Sequence, residues 1–505
     1  FLFFFSFSEI IFNLTNPKKN SQLRFNLINI LGISISLFIL IIIQFLTTSS
    51  VLYSQRYYNL IGKISSSNFQ KDISPVDVEN IRIIDRETAT RLGEKKIGED
   101  PALGSSAQLG EFHIQKVNNE LYWVAPLLHR GFWKWLENKN GSIGYITVSA
   151  MDSSDVKLVQ KINGKTIYIK YQPNAYFNND LERHIYFNGY STVGSTDFTL
   201  EIDNKGNPFW VVTLYKHEIG FSGDNAYAIL VINPSNGEIK EYSIEKAPGW
   251  IDRIQPETIL EEQIYDWGKY KNGFWNSIFA EKEVLNMTPG MSLIYGKDNN
   301  SYWYTGITSA GKDSSTIGFL LINSRNKNVR MYFQGGATEE AARISAEGKV
   351  QEKGYRASFP IMYNIFEIPT YVLSLKDKAG LVKKIAMVSV EDYSIIGIGN
   401  TKFDALRDYK FALLNKNNLK TIPSVINKSL STTGKISRIG FEIKSGETYY
   451  YFTLTNLSDK YFMCTSLVSP EIILTKVGDK VKVNYEVYEG NQIDIIGFEN
   501  LSLKD

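Results

Sequence analysis

Cysteine and histidine are scarce in this chain of 505 residues. Its one cysteine is Cys464, and its four histidines are His113, His129, His184 and His217. A single thiol excludes an internal disulfide and cannot by itself build a structural zinc site. No two histidines are three or four residues apart, and no H-E-x-x-H motif or dense carboxylate run occurs. The sequence therefore predicts no metal site and no cofactor.

The motifs of common enzymes are missing as well. No G-x-S-x-G turn is present to hold a serine nucleophile. Residues 306–313 (GITSAGKD) come close to a phosphate-binding loop, but Asp313 takes the place of the required hydroxyl and a strand-like run follows instead of a helix. Residues 298–300 (DNN) lack the spaced acidic ligands of a calcium loop. We interpret both segments as turns and predict that the protein is not an enzyme.

An excess of one charge is also missing. Lys and Arg number 55 and Asp and Glu number 53, which gives a net charge of +2 and no reason to expect a polyanionic partner. The 43% of hydrophobic and 21% of charged residues are typical of a globular chain. The 30 Tyr and 29 Phe favour packing that is rich in strands.

Long apolar runs occur only in the first 50 residues. Residues 25–46 contain no charge and would extend about 33 Å as a helix, enough to cross a hydrocarbon core of about 30 Å. A signal-peptide core is the alternative, but such cores have only about 7–15 apolar residues, and no small-residue cleavage site follows. Residues 1–14 are apolar but too short to span. We interpret residues 1–50 as a membrane segment that begins with the tail of a first helix and contains a second helix at 25–46.

The basic residues around this segment predict its orientation. Lys18, Lys19 and Arg24 lie between the two apolar stretches, and only Arg56 lies close beyond the second. Because cytoplasmic loops carry an excess of Lys and Arg, residues 50–505 are predicted to lie on the extracytoplasmic side. The lipid bilayer is then the first predicted partner, through residues 25–46.

One order of segments recurs along the rest of the chain: strand, polar turn, aromatic strand, apolar strand, second polar turn and last strand. It is clearest in 291–332 and 198–243, where Trp303 matches Trp210 and Asn323 matches Asn233. Weaker copies occupy 112–160 and 359–397. Apolar runs such as AILVI and GFLLI do not alternate with polar residues, so these strands are predicted to be covered on both faces. Internal repetition of this kind indicates a tandem architecture.

Helix-like segments at 179–187 and 338–353 precede two of the copies, and each ends in Gly-Tyr. The unit is therefore a helix followed by an antiparallel sheet, and the predicted fold class is α+β. The predicted boundaries are a membrane segment at 1–50, a stalk and short α/β segment at 51–110, a first repeat unit at 111–190, a second at 191–275, the third and fourth at 276–415, and a small β-barrel at 430–505.

Two stretches carry a family resemblance for the repeat unit: the aromatic strand FWVVTL and the strand-turn segment AILVINPSNGEI, together with a helix that ends at Gly354-Tyr355. On these the unit resembles the PepSY family of small extracytoplasmic domains. It departs from that family at Ser153-Ser154 and Asn326-Lys327, where the family's turn usually carries a glycine. The resemblance implies binding and restraint of peptidases.

Residues 50–415 as a whole look like a group of long, membrane-anchored bacterial proteins to which no function is assigned. The similar segments are ELYWVAPL, GWIDRIQPE, SYWYTGITS and EGKVQEKGY.

The last 70 residues change to five short strands, with a possible helical turn between the third and the fourth. This order and the segment GDKVKVNYE resemble an OB-fold, a five-stranded barrel. Its run Tyr449-Tyr450-Tyr451-Phe452 is similar to the stacking platforms of single-strand binders. We interpret the run as strand packing, because the segment is not clearly basic.

The most unusual candidate for a contact surface is GFWKW at 131–135. Its tryptophans, Trp133 and Trp135, are flanked by Arg130 and Lys134, and the four residues are the predicted contact set. On a strand both rings would share one face, where they could stack a ligand or lie in a membrane interface. The alternative is a segment that covers the core of the first unit.

These observations predict a membrane-anchored extracytoplasmic binding or scaffold protein, a subunit or accessory of a larger membrane complex. Its expected partners are other proteins, and no nucleic acid is expected. Two alternatives stay open: an extracytoplasmic enzyme or peptidase-regulating module, and nucleic-acid binding through the barrel if the topology is reversed.

Overall fold

The computed structural model describes residues 21–296, 300–311, 315–416, 429–444, 447–466, 468–486 and 492–503. Over these residues the protein is a mixed α+β structure with one long apolar helix and many sheets, as the sequence predicts in outline. The chain divides into two compact units. The first is Phe1–Ser67, Gly93–Thr147 and Lys157–Phe333, and the second is Asn68–Leu92, Val148–Val156 and Gln334–Asp505.

The helices are α1 (Ser21–Thr48), α2 (Ser50–Asn59), α3 (Phe69–Asp72), α4 (Arg86–Gly98), α5 (Pro101–Ser106), α6 (Phe132–Glu137), α7 (Leu181–Ile185), α8 (Glu257–Tyr270), α9 (Gly273–Phe279), α10 (Glu339–Gly348) and α11 (Lys402–Asn415).

The strands up to residue 243 are β1 (Ile64–Ser66), β2 (Ala107–Leu109), β3 (His113–Val117), β4 (Glu120–His129), β5 (Ser142–Ile143), β6 (Tyr145–Ser149), β7 (Val156–Val159), β8 (Lys161–Ile162), β9 (Lys165–Thr166), β10 (Tyr168–Ile169), β11 (Gly194–Ile202), β12 (Pro208–Ile219), β13 (Ser222–Ile232) and β14 (Ile239–Ser243).

The later strands are β15 (Leu285–Met287), β16 (Ser292–Tyr295), β17 (Ser301–Ser309), β18 (Ser315–Thr316), β19 (Gly318–Asn323), β20 (Val329–Tyr332), β21 (Gly336–Ala337), β22 (Arg356–Ala357), β23 (Ile361–Ile365), β24 (Ile368–Lys376), β25 (Val382–Ser389), β26 (Ile396–Gly399), β27 (Ser429–Lys444), β28 (Glu447–Leu454), β29 (Leu457–Thr465), β30 (Lys480–Glu486) and β31 (Gln492–Asn500).

One described helix region, 31–59, is long and apolar enough to cross a membrane, with a mean hydropathy of 2.3. Its apolar side chains, such as Phe38 and Ile41, are exposed, as they must be if lipid is their solvent. The predicted span 25–46 lies inside α1. The helix bends where α2 begins, at Tyr53 with φ −121° and ψ 20°. The predicted partial helix at 1–14, with Lys18 and Lys19, lies outside the described residues.

Three larger sheets lie in the first unit, beside the two-stranded pairs β5-β10 and β8-β9. The first has the order β2-β4-β6-β7 with β3 also on β4, the second β11-β12-β13-β14, and the third β1-β20-β19-β17-β15 with β16 also on β17. Strand β13 shows why the apolar runs do not alternate. Leu230 packs in a core with Val124 and Trp210, while Ile229 and Val231 pack on the other side against the segment around Ile251. The prediction that this strand is covered on both faces is confirmed.

The second unit contains a sheet and a closed barrel. The sheet has the order β22-β24-β25-β26 with β23 also on β24, and α11 packs on it through Tyr409 and Leu413. The helix lies so close that a Cβ added to Gly397 would be 2.0 Å from the backbone nitrogen of Tyr409. The barrel closes in the order β27-β28-β29-β31-β30 around Phe452 and Phe462. A short helical turn at Pro470–Leu474 lies between its third and fourth strands.

One buried aromatic residue lies on a central strand of each of the four larger sheets. Trp123, Trp210, Trp303 and Tyr371 lie on β4, β12, β17 and β24, each a strand that pairs on both sides. Three of them share one register on the following strand, as the pairs Trp210–Ile232, Trp303–Ile322 and Tyr371–Val388. The same three donate to backbone carbonyls ahead of a helix: Trp210 Nε1 to Tyr171 at 2.7 Å, Trp303 Nε1 to Gln255 at 2.9 Å and Tyr371 Oη to Ala337 at 3.2 Å.

The turns that follow the apolar strands also match in pairs. Asn233 and Asn323 each accept two backbone N–H groups of their own turn, at 2.9 and 3.3 Å and at 3.0 and 3.0 Å. In the other two sheets an aspartate accepts one backbone N–H group of its turn, Asp152 from Ser154 N at 2.8 Å and Asp392 from Ser394 N at 2.9 Å. At Ser153-Ser154 and Asn326-Lys327, where the turns contain no glycine, these hydrogen bonds stabilise the turns.

Candidate interaction surface

Three of the four predicted contact residues, Trp133, Lys134 and Trp135, lie on a short helix, α6, and not on a strand as expected, and Arg130 lies just before it. Gly131 precedes it with φ 86°, a left-handed conformation that glycine adopts without strain. Side chains two residues apart on a helix point in directions that differ by about 200° around its axis. Trp133 is therefore 72% exposed whereas Trp135 is 8% exposed, and the expectation of one shared face is wrong.

Trp135 forms the base of an aromatic cluster. Its indole Nε1 donates to Asn179 Oδ1 at 3.2 Å. Its ring centre lies 5.7 Å from that of Phe132, 5.5 Å from Tyr176 and 5.7 Å from Phe177. Contacts of this kind fix α6 against the loop at 176–179, because each ring has several partners.

The outer side of this cluster is open to solvent. We use the name aromatic patch for Phe132, Trp133, Leu136, Tyr176 and Phe177. Trp133 packs edge-on against Phe132 at 5.3 Å, and Phe177 is largely exposed. Phe177 also has φ 53°, a conformation that costs a bulky residue free energy and that its surroundings must hold. The patch is thus a preformed apolar surface on a rigid base.

The two predicted basic residues make contacts outside the aromatic patch. Arg130 donates from Nη1 to the carbonyl oxygen of Gly104 at 2.9 Å. Lys134 Nζ lies 2.9 Å from Glu137 Oε2, one turn along the helix. Both charges are engaged locally, so the patch offers apolar contact and not recognition of an anion.

The aromatic patch lies far from the apolar helix. Asn179, which holds Trp135, accepts from Gln172 N at 3.1 Å, and the neighbouring Tyr171 carbonyl accepts from Trp210 near the start of β12. The distance from Trp210 to Ile219, at the other end of this strand, is about 30 Å, at about 3.3 Å per residue. At that other end, the backbone at Gly220 packs against Thr47 of α1. The patch therefore lies about 30 Å along the unit from the end of α1.

Sequence reasoning missed the second half of the patch. Tyr176 and Phe177 are some 40 residues from Trp133, and no periodicity links the two segments. The available signal was the pair of aromatic residues next to the polar run Asn178-Asn179-Asp180, since such a run predicts an exposed loop.

A buried charged cluster joins the three larger sheets of the first unit. Arg253 donates to Asp197 Oδ1 at 2.5 Å and to His113 Nδ1 at 2.9 Å, and its guanidinium lies 5.3 Å from the ring centre of Trp303. The neighbouring Asp252 accepts from Lys116 N at 2.6 Å. Strands β3, β11 and β17 are thereby tied to the segment 250–256 (WIDRIQP).

Glu201 and Asp252, two acids of this cluster, have raised pKa values. Burial, reinforced by the Asp252 carboxylate, raises the pKa of Glu201 to about 8. Burial raises the pKa of Asp252 to about 6. Glu201 Oε2 accepts from Asp252 N at 3.3 Å, but within the described part of the chain its Oε1 has no hydrogen-bond partner. A neutral Glu201 avoids an unpaired buried charge. The cluster is closed to solvent, which makes it a structural joint.

The histidines and the cysteine lie apart. His184 Nε2 is 2.8 Å from the Gly237 carbonyl, His217 Nδ1 is 2.6 Å from Asp224 Oδ1, and burial lowers the pKa of His129. Among the residues that the structure describes, no group of three or more His, Cys, Asp or Glu could hold a metal ion. Cys464 is buried, which raises the pKa of its thiol to about 12.

Both segments interpreted as turns fall partly outside the described ranges: residues 312 and 313 of the glycine-lysine motif and residues 298 and 299 of the DNN stretch. The tyrosine run of the barrel is divided between its two faces. Phe452 stacks on Phe462 in the core at 5.5 Å, and Tyr449 packs against Phe411 of α11 at 5.6 Å. Tyr451, with Arg438 and Tyr461, lines an open groove of about 490 Å³ on the barrel.

Comparison with known proteins gives no family for this chain. No protein-family model matches it, and no curated protein does. Among solved structures, a sialidase aligns with 87% of this chain and 49% of its own length, at 10% identity and a TM-score of 0.15. The chain thus spans about half the length of that sialidase, and a TM-score of this size does not indicate a shared fold.

Proposed function

We propose that this protein is a membrane-anchored, extracytoplasmic binding protein that presents the aromatic patch to a protein partner within a larger membrane complex. The observation that carries the proposal is the patch itself, in which Trp133 and Phe177 are exposed above the buried Trp135. Protein contacts are enriched in aromatic residues that are held rigidly, because such residues lose little conformational entropy on binding. Lipid is a poorer candidate for this patch, because α1 ends about 30 Å away along β12.

The same proposal covers the architecture. The four sheets are copies of one PepSY-like unit, supported by the common register of Trp210, Trp303 and Tyr371 and by their common bond to a carbonyl ahead of a helix. The barrel is OB-like, supported by its strand order and by the helical turn before its fourth strand. Tandem units of this type are suited to displaying a contact surface at a distance from the anchor.

The test is site-specific photo-crosslinking in native membranes. A photoreactive amino acid at Leu136, at the edge of the patch, should give discrete protein adducts. The same group at Phe187, which is 74% exposed but not part of the patch, is the matched control. Trp133→Ala should abolish the adducts of the Leu136 probe while leaving the protein folded. Adducts with lipid alone, or the same adducts from both positions, would contradict the proposal.

A further inference from the structure

A second exposed apolar surface lies at the opposite end of the first unit. It consists of Phe221, at the turn between β12 and β13, and of Trp275, Ile278 and Phe279 on α9. We use the name basal surface for these four residues. All are exposed, Phe279 by 77%. Helix α9 (GFWNSIF) carries no charged side chain, and lysines flank it at Lys271 and Lys282.

An unbroken series of ring contacts connects this surface to the end of the apolar helix. Tyr57 Oη donates to the carbonyl of Thr48, the last residue of α1, at 2.6 Å. The ring of Tyr57 lies 6.2 Å from that of Tyr270, which lies 6.5 Å from Phe274. The series continues from Phe274 to Trp275 at 5.3 Å and from Trp275 to Phe279 at 5.9 Å.

The tip of the β12–β13 hairpin reaches the same place independently. A Cβ added to Gly220 would lie 2.6 Å from the backbone oxygen of Thr47, so the tip is in close contact with the end of α1. Arg56 of α2 also donates to the carbonyl of Glu218 in this hairpin. Phe221 follows directly and is exposed. Two separate elements thus place apolar side chains beside the point where α1 ends.

We propose that the basal surface lies in the boundary between headgroups and acyl chains of the bilayer that α1 spans, and so fixes the first unit upright on the membrane. The inference rests on the membrane anchoring proposed above and adds a second attachment to it. Aromatic side chains favour this boundary, and lysines at its edge keep their amines in water. The amine of Lys271 lies 3.5 Å from Glu283 Oε2. A water-facing position would leave four large apolar side chains exposed beside the membrane without a function.

Labels on single cysteines test this in the full-length protein, reconstituted into phosphatidylcholine vesicles at about one copy per vesicle. Phe279→Cys and Phe221→Cys carry an environment-sensitive fluorophore, and Phe187→Cys is the matched control. Phe187 is equally exposed and lies near His184, which contacts the Gly237 turn at the far end of the β12–β13 hairpin. Cys464 is buried and should not react. Quenchers on the lipid acyl chains should reduce fluorescence at 279 and 221 at least threefold more than at 187, and aqueous iodide should show the reverse order.

A label at Phe38→Cys in α1 separates the two proposals. Lipid quenching at 38 without quenching at 279 and 221 would leave the anchor in place and overturn the basal attachment. Absence of lipid quenching at 38 would overturn the anchor as well. Protection of 279 and 221 from both the lipid quenchers and iodide would show that protein, and not lipid, covers the surface, and would overturn the basal attachment.

Discussion

Trp303→Ala should destabilise the first unit severely. Trp303 is buried on β17, its Nε1 donates to the Gln255 carbonyl at 2.9 Å, and the Arg253 guanidinium lies 5.3 Å from its ring centre. Removal of a buried tryptophan commonly costs about 3–5 kcal/mol. The unpaired Gln255 carbonyl adds about 1 kcal/mol or more. The sum is a large part of the roughly 5–15 kcal/mol that stabilises a domain. Equilibrium unfolding in urea, followed on full-length protein in detergent, measures the change.

Two other tryptophans of the chain provide controls for this variant. Trp133→Ala removes an exposed ring and should change the free energy of unfolding by about 0.5 kcal/mol or less. Trp210→Ala should match Trp303→Ala, because the two residues have the same register and the same type of hydrogen bond. A loss of 1 kcal/mol or less for Trp303→Ala, or a large loss for Trp133→Ala, would refute the assignment of the first as core and the second as surface.

Three further predictions concern buried charges. Glu201 keeps its proton in the folded state up to about pH 8 but loses it near pH 4.5 when unfolded, so stability should fall as pH rises from 6 to 8. Glu201→Gln should flatten this part of the plot of urea midpoint against pH. Lys327 donates to the Leu60 carbonyl at 2.9 Å, and burial lowers the pKa of Lys327 to about 8. Lys327→Met should therefore reduce stability by about 2 kcal/mol and increase amide exchange at residues 60–62. Unchanged exchange at these residues would show that Lys327 does not hold this segment. Lys376 lies 2.7 Å from Asp85, and against the opposing effect of burial this contact holds the pKa of Asp85 below its ordinary value. Lys376→Met should therefore reduce stability by on the order of 2 kcal/mol at pH 7 and by less at pH 3. An equal loss at both pH values would show that the ion pair is not the cause.

Strand positions with strong local patterns were predictable from the sequence. The aromatic strand around Trp210 and the apolar run AILVI form β12 and β13, because uninterrupted β-branched and aromatic residues suit a strand buried on both faces. The helix ends were predictable for a similar reason. Gly189 and Gly354 both have positive φ, at 104° and 61°, as expected of glycine at a C-terminal stop.

The rest depended on contacts between distant residues. GFWKW is compatible with a strand or a helix, and only Gly131 and the packing against Tyr176 and Phe177 select the helix. The sequence also did not predict that Asp252 and Arg253 of the segment WIDRIQP are buried, because their partners lie on strands that are distant in the chain. Such pairings leave no periodic trace in a sequence.

Thiol labelling at Phe187→Cys tests the central claim most directly, because it asks on which side of the membrane the first unit lies. Residue 187 is exposed, and the buried Cys464 should give the parent protein no background. A membrane-impermeant maleimide added to intact spheroplasts should label the variant as completely as it does after lysis. Labelling only after lysis would place residues 50–505 in the cytoplasm, contradict the extracytoplasmic binding role and favour nucleic-acid binding through the groove at Arg438 and Tyr451.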